Sequence, residues 1–93
     1  MTSAGPEPVL RLKAGVEWQR VDDEVVALDV GSSAYVAVND TGAALWPLVA
    51  GGTTPQQLVD ALTARFPVDA ERARADVDAF VVQLRALRLV DEG

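Results

Sequence analysis

"SAYVAVNDTGAALWPLV", residues 33–49, changes rhythm in its middle. Val36 and Val38 lie two apart, the spacing of a half-buried strand. From Ala43 the apolar residues run on through Ala44, Leu45 and Trp46, as they do in a helix. Asn39 stands between the two patterns. It suits an N-cap, because its side-chain oxygen can accept from the amides of residues 41 or 42. A strand that runs straight into a helix frames the rest: earlier segments must pair with the strand, and later ones must cover it.

Upstream, "VVALDV" (25–30) is a second strand, joined to Ala34–Val38 through the short turn "GSS" (31–33). Val26, Leu28 and Val30 share one of its faces. "GVEWQRV" (15–21) is a further strand with Val16, Trp18 and Arg20 on one side, joined through "DDE" (22–24). Leu10 and Leu12 read as the beginning of that same strand. Connections this short imply antiparallel neighbours, hence a meander with 25–30 in the middle and 34–38 at an edge. Gly5, Pro6 and Pro8 make residues 1–8 a flexible tail, and the folded domain is expected over 9–90.

Downstream, Leu45, Trp46, Leu48 and Val49 give the first helix its apolar side. Pro47 lies too deep to be a first-turn proline, so it is expected to kink or end that helix early. Gly51 and Gly52 punctuate. Thr54, Pro55 and Gln57 fit a capping box with proline at the first helical position. Leu58, Val59, Leu62 and Phe66 form the stripe behind it, and Pro67 stops the helix. Asp69 caps a last helix over about 70–88, with Val68 placed to staple onto Ala73. Ala73, Val77, Phe80, Leu84 and Leu87 share one face at helical spacing. Val81 and Arg88 sit at one margin of this stripe, Arg74, Asp78 and Arg85 lie just beyond, and Val82 is expected in solvent. Strands grouped before helices define an α+β fold, a three-stranded antiparallel sheet followed by three helices.

The chemistry is sparse. The 93 residues include no cysteine and no histidine, so thiolate chemistry, disulfides and the commonest general base are absent. Asp22, Asp23 and Glu24 are adjacent turn carboxylates without the spaced ligands of a calcium loop. Asp76 and Asp78 are two apart on a helix and do not face each other. Ser32 and Ser33 have no base to activate them and read as turn residues. Gly51-Gly52 lacks the strand context of a phosphate loop and reads as a helix stop. Trp18 and Tyr35 read as sheet surface or core. No catalytic constellation, metal site or cofactor site emerges, and a non-enzymatic protein is expected. Eight basic against fourteen acidic residues give a net charge of −6. The last helix balances Arg72, Arg74, Arg85 and Arg88 against Asp69, Glu71, Asp76 and Asp78. Three helices after a small sheet could make a winged helix-turn-helix regulator, but no helix offers the basic face that DNA phosphates require. No apolar run reaches the roughly 20 residues of a membrane span, and the N-terminus lacks the pattern of a secretory signal. The expectation is a cytoplasmic protein without nucleic-acid or membrane partners.

What remains is an unguarded edge. Tyr35 to Val38 carries no lysine or proline, so an incoming peptide can add there as a further strand beside the last helix. The candidate peptide-binding residues are Ala34, Tyr35, Val36, Ala37 and Val38 on the strand, with Arg74, Val77, Asp78, Val81, Leu84 and Arg85 on the helix. Val81, backed by Val77 and Leu84, is the expected pocket for an apolar or aromatic anchor, with the opposite flank of the helix, near Asp76 and Gln83, as the alternative.

An ordered set of residues carries a resemblance. Leu28-Asp29, a short turn, Tyr35, Val38, Asn39, Thr41-Gly42, then Trp46, with Asp76 and Phe80 later, resembles the PqqD-like family of leader-peptide recognition domains (RiPP recognition elements) over about residues 9–90. Val38 stands where that family has leucine, and Pro47 where it usually has a polar helix residue. The resemblance implies a winged-helix-like fold without catalysis. It also implies that the leader of a precursor peptide docks as an extra strand on the third strand, against the third helix. A domain of this size is similar to two kinds of family member: the peptide chaperone of pyrroloquinoline quinone biosynthesis, and the leader-binding half of a split lasso-peptide protease. The lasso kind is the expectation, with a leader peptidase or other maturation enzyme as second partner.

Overall fold

A computed structural model describes residues 9–92, except the side chain of Asn39; the expected tail over 1–8 and the Asn39 cap lie outside what is described. The elements are β1 (Leu10–Leu12), β2 (Val16–Val21), β3 (Glu24–Asp29), β4 (Ala34–Asn39), α1 (Asp40–Gly51), α2 (Pro55–Arg65), α3 (Ala70–Ala86) and β5 (Val90–Glu92). β2, β3 and β4 form the antiparallel meander with β3 in the middle, and the three helices follow, an α+β fold.

Leu10 and Leu12 do not begin β2. They form β1, which pairs with β5 in a separate two-stranded ribbon, Leu10 opposite Glu92 and Leu12 opposite Val90. Main-chain bonds between Leu10 and Thr53 close the other side of β1. β5 follows a sharp reversal at the end of α3. The Leu89 amide donates to the Leu84 carbonyl and the Arg88 amide to the Arg85 carbonyl, both at 3.0 Å, with Arg88 left-handed at φ 57°. This is the Schellman arrangement. Glycine usually marks it, and its absence hid the reversal and β5 from the sequence reading.

The sheet turns one face to the helices. Val25 and Ala27 of β3 are buried with Val36 and Val38 of β4, and Trp46, Leu45, Leu58, Leu62, Val77 and Leu84 pack into the same core. Val26, Leu28 and Val30 do share a face, but it is the outer one, where Leu28 is 41% and Tyr35 60% exposed. Asp29 points inward because its carboxylate is fully engaged: Lys13 Nζ at 2.6 Å, Ser32 Oγ at 2.8 Å and the Gly31 amide at 3.2 Å.

The capping box at Thr54 and Gln57 forms as the sequence indicates, with Pro55 in the first turn, and Asp69 caps α3 by accepting from the Arg72 amide. Pro47 does not end α1, which continues to Gly51. A helical proline leaves the carbonyl four residues earlier without its donor. That carbonyl belongs to Ala43, and Arg20 Nη2 donates to it at 3.1 Å from β2. The sheet thus supplies the bond that the helix cannot make.

Candidate functional site

The loop between β2 and β3 has two residues, Asp22 and Asp23, with Asp22 left-handed at φ 57°. Such a loop closes on a hydrogen-bonded pair, here Val21 and Glu24. Hydrogen bonding alternates along an antiparallel ladder. Glu24, Val26 and Leu28 therefore bond toward β2, whereas Val25, Ala27 and Asp29 bond toward β4. Their β4 partners are Val38, Val36 and Ala34. By elimination, Tyr35 and Ala37 hold their N–H and C=O groups toward the open edge.

Beside that edge lies a cavity of about 530 Å3, lined by Ala37, Val38, Asp40, Thr41, Gly42, Arg72, Asp76, Ala79, Phe80 and Gln83. Its floor is apolar and its rim polar. Arg72 and Asp76 pair across one helical turn at 3.6 Å. Gly42 keeps the floor open: a Cβ there would stand 3.0 Å from Val38 Cβ and 3.6 Å from Phe80 Cε1. The chain turns from β4 into α1 at Asp40, left-handed at φ 49°. That abrupt turn places the start of the helix at the end of the groove.

The structure brings together only part of the expected set. Ala37 and Val38 line the cavity, and Ala34, Tyr35 and Val36 lie on the same edge strand. On α3 the other flank faces β4. Val77, Val81 and Leu84 are core residues, Val81 only 3% exposed, so Val81 is not an open pocket wall. Arg74 hydrogen-bonds Gln56 of α2, Arg85 pairs with Glu92 of β5, and Asp78 is absent from the cavity lining. The reason is packing. α3 buries a stripe wider than the sequence stripe, and α2 and β5 take the Arg74–Asp78–Arg85 side. Arg72, Asp76, Ala79 and Gln83 are left to the groove. Asp76 and Phe80 were already part of the family pattern, and helical spacing from them reaches Arg72, Ala79 and Gln83.

Groups of three or more histidine, cysteine, aspartate or glutamate side chains able to hold a metal are absent among the described residues. No helix among them is long and apolar enough to cross a membrane.

The fold and groove define a small winged-helix-like domain with an open strand edge against a helix. The family described as coenzyme PQQ synthesis protein D (PqqD) matches residues 24–90, and the chain belongs to it. Two solved structures are similar. One is TbiB1 in complex with the TbiA(beta) leader peptide, at 28% identity and a TM-score of 0.81, covering 87% of this chain and 94% of that one. The other is lasso peptide synthetase B1 complexed with the leader peptide, at 27% identity and a TM-score of 0.77, covering 88% of this chain and 96% of that one. No curated protein matches significantly.

Proposed function

We propose that this protein binds the leader segment of a ribosomally made precursor in lasso-peptide biosynthesis and presents it to a maturation enzyme. The observation that carries the reading is the free β4 edge beside a cavity, in a chain whose fold matches two proteins solved with leader peptides. The leader lies along β4 and bonds to the main chain of Tyr35 and Ala37. Its alternate side chains drop over Val38, Gly42, Ala79 and Phe80. Main-chain bonds give affinity whatever the sequence, and the groove gives selectivity. The protein acts as an adaptor and leaves the covalent chemistry to its partner. The outer sheet face supports such a partner: Val21, Leu28 and Tyr35 are exposed together, and exposed apolar patches mark protein contacts. That partner is a leader peptidase on this reading.

Calorimetry with synthetic leader segments of lasso-peptide precursors tests it. Wild type binds, and Ala79→Trp, which fills the groove from an exposed helix position, weakens binding at least about tenfold, or about 1.4 kcal/mol, with the fold intact. A folded wild type that ignores the leader overturns the reading. Unchanged affinity in Ala79→Trp moves the site off this groove.

A further inference from the structure

The register of the meander lines up side chains across its outer face. Glu17, Leu28 and Tyr35 stand opposite one another on β2, β3 and β4, and Gln19, Val26 and Ala37 form the next row. Leu28 and Tyr35 are both exposed. Single apolar side chains on a surface are ordinary, but adjoining ones mark a contact. Their row ends at the β4 edge, which has room for one more strand. Val36 and Val38 point into the core, whereas Tyr35 and Ala37 turn their side chains outward and their main-chain groups to that edge. Opposite residues of neighbouring strands project to the same side of a sheet. This holds whichever way the added strand runs. Leader residues beside Val36 and Val38 thus enter the groove, and those beside Tyr35 and Ala37 emerge on the outer face. Strands lie about 4.8 Å apart, so the leader side chain next to Tyr35 meets its ring directly. Glu17 and Glu24, the charged strand residues of this face, lie on β2 and β3, at least two strand spacings from the leader.

We propose, on the reading that a leader occupies the β4 edge, that Tyr35 is a specificity-determining residue. Its ring packs on one outward-facing leader side chain and selects an apolar or aromatic one. The leader is then read on both faces at alternate positions, inward by the groove and outward by Tyr35. Aromatic rings are the side chains best able to hold such a cross-strand neighbour, because they reach both the residue directly opposite and the diagonal ones. A maturation enzyme is the competing occupant for the ring, and leader binding measured without any enzyme separates the two.

The test is calorimetry of the full chain with a synthetic lasso-precursor leader segment and its alanine scan. Tyr35→Thr keeps a good strand former and loses the ring. It weakens the leader about two- to fivefold, the range of one aromatic cross-strand pair, while circular dichroism remains native. Tyr35→Phe binds as wild type does. In the scan, one apolar leader position matters to wild type and not to Tyr35→Thr, and it lies an odd number of residues from the positions that fill the groove. Wild-type affinity in Tyr35→Thr gives the ring to the enzyme and overturns the proposal, while leader binding stands. A loss in Tyr35→Thr that is the same for every leader of the scan also overturns it, by making the ring a support of the strand. Leader segments that folded wild type ignores overturn the leader reading itself, and this proposal with it.

Discussion

The meander has two outer strands, β2 and β4, and they are not equivalent. Both leave main-chain groups unpaired among the described residues. On β2 those groups belong to Trp18 and Arg20, by the same alternation that frees Tyr35 and Ala37 on β4, whereas the Val16 amide on that side donates to the Lys13 carbonyl. Two large β2 side chains reach toward α1. Trp18 meets Trp46 edge-on with ring centroids 6.4 Å apart, and Arg20 reaches the Ala43 carbonyl. Glu17 and Arg20 add charge, the usual protection of an exposed edge. On β4, Ala37 is small, no charge guards Tyr35 to Val38, and α3 stands back to leave the cavity. An open edge becomes a binding site when a pocket lies beside it and nothing bulky closes it. β2 serves α1, and β4 is left for a ligand.

The sharpest way to break this contrast is proline on β4. Val36→Pro removes an amide bonded to β3 and a buried side chain, so it unfolds the domain. Ala37→Pro removes only an edge amide, so circular dichroism remains native while leader affinity falls about tenfold or more, a lost bond plus a ring in the leader's path. Leader binding by folded Ala37→Pro at wild-type strength would show that the strand is not extended here.

The β2 side is sharpened through Arg20. Arg20→Met orphans the Ala43 carbonyl and costs about 1–3 kcal/mol in denaturant melts, the penalty of an unsatisfied acceptor, while the leader binds as before. Adding Pro47→Ala restores an amide to that carbonyl, so the double variant recovers most of the loss. A simple sum of the single effects would disprove the coupling.

Acid addresses the turn that joins β3 to β4. The Lys13 hydrogen bond, then Ser32 and Gly31, hold the Asp29 carboxyl below its ordinary value of 3.8. A depressed folded pKa adds stability above the unfolded value, and that stability disappears as pH falls through the folded one. Melting temperature therefore declines below about pH 4, and Asp29→Asn shows a lower plateau at neutral pH with a shallower acid decline. The smallest effect lies away from both edges: Arg88→Gly relieves a left-handed arginine and raises stability by about 0.5–1 kcal/mol, with no change in leader affinity.

Local chemistry was legible wherever neighbours in sequence settle it. Thr54, Pro55 and Gln57 build their cap from four consecutive residues, and Asp69 does the same for α3. The short loops compelled the meander, and the family pattern of Tyr35, Asn39, Thr41, Gly42 and Trp46 led to the groove's strand side. The helix side was not fixed by the sequence, because the α3 stripe has two margins and periodicity cannot say which one α2 occupies. Pro47 was misjudged for a similar reason: its compensation comes from Arg20, on another element.

By itself, then, the sequence determined the α+β class, the order of the three meander strands and three helices, the caps of α2 and α3, the lack of a basic face, and an edge strand with no charge to guard it. These follow from spacing, loop length and composition, which act within a few residues. Tertiary structure alone decided that Val25 and Ala27 face inward, that β1 leaves β2 to pair with β5, and that Ala79 rather than Val81 borders the groove. Each of those is a choice between two faces or partners with nearly equal local merit. Burial against distant residues makes that choice, and a linear pattern carries no record of which distant residues they are.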